Sequence, residues 1–72
     1  MRVYRDIDND SGVTAYEYGD DFIVVRFKTG KEYTYSYKSA GRNNIEMMKR
    51  LADSGDGLNS FINTNVRTLY EK

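Results

Sequence analysis

The chain has 72 residues, with 11 basic and 11 acidic side chains for a formal net charge of zero, and it contains no histidine, cysteine, tryptophan or proline. A domain of this size buries only ~60% of the surface its unfolded chain exposes, which excludes a large internal pocket. The missing cysteine excludes disulfides and thiolate zinc sites, and the missing histidine removes the commonest general base and transition-metal ligand.

The charges are unevenly spread. Residues 1–25 carry two basic and six acidic groups (−4), residues 26–50 seven and two (+5), and residues 51–72 two and three (−1). A basic middle third suits a nucleic acid or an acidic protein surface, although short basic runs on small domains are commonly solvated faces. No apolar run is long enough for a signal peptide or a membrane span, so a cytoplasmic protein is expected.

Residues 1–11 read as an acidic lead-in. Asp6, Asp8, Asp10 and Glu17 reproduce the 1, 3, 5 and 12 carboxylate spacing of an EF-hand loop. Ser11 stands where that loop needs its turn glycine, and the following residues read as a strand where a helix should exit, so no tight calcium site is expected. Strands are predicted at Val13 to Tyr18, Phe22 to Lys28 and Lys31 to Tyr37, joined by Gly19-Asp20-Asp21 and Lys28-Thr29-Gly30. A two-residue loop at Thr29-Gly30 would split the apolar residues between both faces. A three-residue loop with Gly30 in the left-handed region instead sets Val25 opposite Tyr33 and Ile23 opposite Tyr35, giving one apolar face. Tyr33 and Tyr35 are therefore expected in the core with their hydroxyls at its rim. The length of the first turn decides whether Tyr16 and Tyr18 face the core, and both orientations stay open. Phe22, Val24, Arg26, Thr34 and Ser36 fall on the other, uncovered face.

After Tyr37 the period changes from 2 to 3.6. Ile45, Met48, Leu51 and Ala52 share a helical face, with Asn43 and Glu46 spaced as a capping pair and Gly55 placed to end the helix. A second helix is predicted from Gly57 to Tyr70, with a stripe of Leu58, Phe61, Ile62, Val66 and Leu69 and Asp56 as its N-cap. The expected architecture is a single α+β domain over residues 1–72: a three-stranded antiparallel meander followed by two α-helices packed on one sheet face.

The order of VVRFKTG, the YxY of Tyr33-Thr34-Tyr35, and MKRLADSGDGLNSFINTNVRTLY resembles the KTSC family, small bacterial domains named for their occurrence at the C-terminus of some lysyl-tRNA synthetases. The resemblance runs from about Val13 to Tyr70. It implies a meander-plus-helices fold and suggests RNA binding; that association concerns neighbouring domains and implies no chemistry of its own.

Two binding surfaces compete. Lys49 and Arg50 on the first helix, with Asn59, Asn63 and Arg67 at four-residue spacing on the second, form a polar and basic strip suited to phosphates and base edges of RNA or another single-stranded nucleic acid. The same helix face also reads as solvated i,i+4 pairs, Glu46 with Arg50 and Lys49 with Asp53. Phe22 and Val24 offer the alternative, an apolar surface for a protein partner or a homodimer. No nucleophile is paired with a base and no Gly-rich phosphate loop is present, so no enzymatic activity, cofactor or metal is expected.

Overall fold

The computed structural model describes residues 1–5 and 12–71, so Asp6, Asp8 and Asp10 lie outside the described residues. Its α+β fold is a four-stranded antiparallel sheet in sequence order, β1 (Arg2–Val3), β2 (Val13–Tyr18), β3 (Phe22–Phe27) and β4 (Glu32–Ser36), with helices on one face. The expectation of three strands is corrected by β1, which pairs Arg2 with Tyr16 and Val3 with Ala15. Two residues are too few for a strand pattern. What fixes this one is tertiary: Tyr4, only 4% exposed, follows directly, and its hydroxyl accepts the Leu58 amide 3.2 Å away.

The β3–β4 hairpin has the expected register, Ile23 opposite Tyr35 and Val25 opposite Tyr33. The Phe27 amide donates to the Lys31 carbonyl at 2.9 Å and Gly30 sits at φ +90°, which marks the three-residue loop. Between β2 and β3 the Gly19 amide donates to the Phe22 carbonyl at 3.1 Å around Asp20-Asp21, and Tyr16 and Tyr18 pair with Val25 and Ile23. That tight turn puts both tyrosines on the helix side. A bulge at Thr14 lets Val13 and Tyr16, three residues apart, share the core, a phase shift that strict alternation does not show.

β4 ends at Ser36, whose side chain and that of Ser39 form a capping box for a short helix, α1 (Tyr37–Ala40). Tyr37 is thus helical, not the last residue of a strand. The main helix α2 (Arg42–Ser54) has Gly41 as N-cap, so Asn43 and Glu46 are not its capping pair. Glu46 instead accepts from Tyr37 and Lys49. Gly55 ends α2 in the left-handed conformation at φ 78°, as predicted. The second helix begins after Gly57 rather than Asp56. It runs as α3 (Leu58–Phe61) and then widens into a π-helical stretch, Ile62–Val66, that stops before Tyr70. Leu58, Ile62 and Val66 are buried in the core with Ile23, Val25, Tyr35, Ile45 and Met48, whereas Leu69 lies beyond the helix and is 39% exposed.

Candidate functional site

At the loop end of the β3–β4 hairpin the sheet and the π-helical stretch diverge and leave a groove of about 360 Å³. Phe27, Tyr33 and Tyr35 form its sheet side, Ile62 and Asn63 its helix side, and Arg67, Thr68 and Tyr70 its rim. Strand alternation explains the sheet side, since all three aromatics belong to the helix-facing set. The helix side depends on the wider π turn, a departure from 3.6 periodicity that recurs at functional sites. It brings Asn63 and Arg67 to the same groove.

The rings are in contact: Phe27 meets Tyr33 edge-on at 5.6 Å between centroids, Tyr33 lies 4.8 Å from Tyr70, and Tyr70 meets Tyr35 edge-on at 6.4 Å. Tyr35 is 1% exposed. Burial first, and then the neighbouring Tyr33 and Tyr70 phenols, push its ionisation up to about 12. Tyr35 is therefore a neutral hydrogen-bonding group beside the groove at ordinary pH. Arg67 is exposed and makes no ion pair among the described residues. Aromatic faces, an amide, hydroxyls and one uncompensated cation together suit a planar polar ligand carrying negative charge.

The other residues of the predicted strip lie elsewhere. The Lys49 ammonium is 2.9 Å from Glu46 and 2.8 Å from the Asp20 carbonyl, and it sits over the Tyr18 and Tyr37 rings at 5.4 and 5.8 Å. Its carboxylate partner holds its pKa above the usual lysine value, so the charge is engaged within the protein at the opposite end of the sheet. Arg50 is exposed on α2, and Asn59 is half-buried against Gly12, where an added Cβ would come within 3.5 Å of its amide oxygen. Only Asn63 and Arg67 of the five line the groove.

Neither anticipated i,i+4 pair is formed among the described residues: Glu46 pairs with Lys49 at i,i+3, and Asp53 makes longer-range contacts. Asp53 turns from Lys49 toward the sheet, accepting from Tyr16 at 2.8 Å and Tyr18 at 2.6 Å and pairing with Arg2 at 3.2 Å, while Arg5 donates to its backbone carbonyl. The Tyr18 bond foremost holds the Asp53 carboxyl below its ordinary pKa. This cluster anchors the N-terminal strand to α2. Its signal in the sequence is limited to two arginines in an otherwise acidic segment.

Phe22 and Val24 lie on the uncovered face, half-buried, with Phe22 packed so tightly on Gly19 that a Cβ there would collide with its ring. Val3 on the same face is 77% exposed, and Arg26 pairs with Glu32 across the strands at 2.6 Å. Among the described residues no three carboxylate, histidine or cysteine side chains gather as metal ligands, and no helix is long and apolar enough to cross a membrane. Glu17, the last carboxylate of the EF-hand-like spacing, pairs with the Met1 amino group at 3.8 Å.

No family model matches the chain, and no curated protein or solved structure matches it.

Proposed function

We propose that this protein is a small non-catalytic binding module that takes unpaired RNA, or another single-stranded nucleic acid, in the groove beside Tyr33. The observation that carries the reading is the meeting of Asn63 and Arg67 with an aromatic wall in one groove. Bases stack on aromatic side chains, amides read base edges, and a cation takes the backbone phosphate. A duplex presents its bases stacked and paired, so it cannot place one in a groove of about 360 Å³. The resemblance to the KTSC family points the same way and belongs to the same proposal. Titrating a labelled single-stranded RNA at several salt concentrations tests the reading. Binding that weakens with salt, and weakens again in Arg67→Ala, supports it; no complex at low salt and high protein concentration overturns it.

A second reading rests on the uncovered sheet face. Val3 is largely exposed on that face and Phe22 and Val24 are half-buried there, and a second chain or a protein partner would remove their apolar surface from water.

A further inference from the structure

Tyr70 occupies the place where a ligand ring would stack. Its ring lies against Tyr33 at 4.8 Å and stands edge-on to Tyr35 at 6.4 Å, so it covers the aromatic surface from the rim of the groove. The attachments holding it there are few. The Glu71 amide donates to the Thr34 carbonyl at 2.6 Å on the outer edge of β4, and the Glu71 carboxylate accepts from Ser36. The preceding residue, Leu69, is 39% exposed, and its amide bonds back to the Val66 carbonyl at 2.8 Å. Asn63 and Arg67 make no hydrogen bond to Tyr70 among the described residues, so both stay available while its ring moves.

We propose that the Tyr70-Glu71 segment is a displaceable strap in which the Tyr70 ring stands in for a nucleobase, and that an incoming unpaired base replaces it on Tyr33. The inference rests on the nucleic-acid reading of the groove and adds its regulation. A purine has a larger π face than a phenol, and a base stacks on an aromatic side chain more strongly than two such side chains do on each other. The nucleotide also brings a phosphate to Arg67, a contact Tyr70 cannot make. Exchange is therefore favourable with ligand present, and the strap closes over the apolar rings in its absence.

The test measures affinity of the full chain for a short fluorescein-labelled oligoadenylate by anisotropy. Removing the competing ring in Tyr70→Ala should tighten binding roughly two- to ten-fold, the equivalent of one aromatic pair. Tyr70→Phe keeps the ring and should match the wild type. Glu71→Ala loosens the strap without touching the rings and should also tighten binding at high salt, where one lost charge is screened. Hydrogen exchange supplies the second readout: adding the RNA should speed exchange of the Glu71 amide while β3–β4 amides stay protected. Weaker binding by Tyr70→Ala, with the Glu71 amide more protected in the complex, would make Tyr70 part of the platform and overturn the strap while leaving RNA binding intact. Absence of binding by wild type and variants alike overturns the nucleic-acid reading, and the strap with it.

Discussion

Asp53 accepts a 2.6 Å hydrogen bond from the Tyr18 hydroxyl, tying the last turn of α2 to the end of β2 across 35 positions of sequence. The same carboxylate takes a second bond from Tyr16 and an ion pair from Arg2, so a single side chain holds helix, sheet and N-terminal strand together. Asp53→Ala should lower unfolding stability by roughly 1–3 kcal/mol, since it removes charge-assisted bonds at the edge of the core. Because the Asp53 pKa is depressed in the folded state below its ordinary value of 3.8, its contribution is present above that value and disappears as pH falls through the lower folded value. Glu46 is shifted the same way, by its Tyr37 bond first and Lys49 next, and acts in the same window. Denaturant melts between pH 7 and pH 2 should show a shallower acid loss for Asp53→Asn than for the wild type.

Val25 is fully buried opposite Tyr33 in the hairpin. Val25→Ala should therefore cost about 1–3 kcal/mol, through lost burial and the cavity left behind. Gly30 holds φ +90°, a conformation that side chains with a Cβ rarely adopt, although the space around it is open. Gly30→Val should destabilise through backbone strain alone, by roughly 1 kcal/mol or more. A chemical-denaturation midpoint shifted in Val25→Ala but unchanged in Gly30→Val would argue against the bulged loop.

These two residues also show what could be read in advance. The hairpin register followed from alternation and loop length because both are local, and the apolar face of α2 followed from its 3.6 period. β1 escaped because two residues have no period; its place depends on Tyr4 reaching Leu58, 54 positions away. The end of the second helix escaped because a π turn breaks the periodicity by which Leu69 was assigned to the buried stripe. For the groove, Asn63 and Arg67 were evident as a four-residue repeat. Their meeting with Tyr33 and Tyr70 was not, since it depends on where the chain runs after Val66. Lys49 had the right charge for a phosphate ligand, but its neighbours across space, Asp20 and Tyr18, had already engaged it.

Tyr35 should make stability sensitive to alkali. Its folded pKa is raised from 10 to about 12, so the neutral phenol is favoured in the folded state; the contribution is fully present below pH 10 and is lost as pH rises from there toward 12. A gap of that size corresponds to roughly 2–3 kcal/mol. Tyr16, Tyr18 and Tyr37 are raised as well and add to the same alkaline loss. Tyr35→Phe should flatten the upper part of the profile, since it removes the group that ionises there. Circular dichroism melts at pH 7, 10 and 11.5 check this, and an alkaline loss as steep in Tyr35→Phe as in the wild type would overturn it.

Association through the uncovered sheet face predicts a concentration-dependent mass. Val24 lies half-buried on that face opposite Thr34, so Val24→Lys places a charge where a second chain would sit and leaves the core untouched. Sedimentation should then shift toward monomer with the circular dichroism spectrum unchanged. A wild-type protein that stays monomeric at high concentration would remove the homodimer and leave the face to a different protein partner.

RNA binding at the groove predicts different responses from its two polar residues. Arg67 is the cation at the rim, and each phosphate it neutralises releases counterions, so Arg67→Ala should weaken binding and flatten log K against log[salt] by roughly one unit. Asn63→Ala should weaken binding with no change in slope, because an amide contacting a base edge displaces no counterion. Lys49, engaged by Glu46 and the Asp20 carbonyl at the other end of the sheet, should leave the slope unchanged when replaced by Gln. Single-stranded or looped RNA should bind more tightly than a duplex of the same length, since only an unpaired base can enter beside Tyr33. A flattened slope in Lys49→Gln with none in Arg67→Ala would move the contact surface away from the groove to the α2 side of the molecule. Equal affinity for duplex and single strand would leave a purely electrostatic attraction and remove the stacking role of the tyrosines.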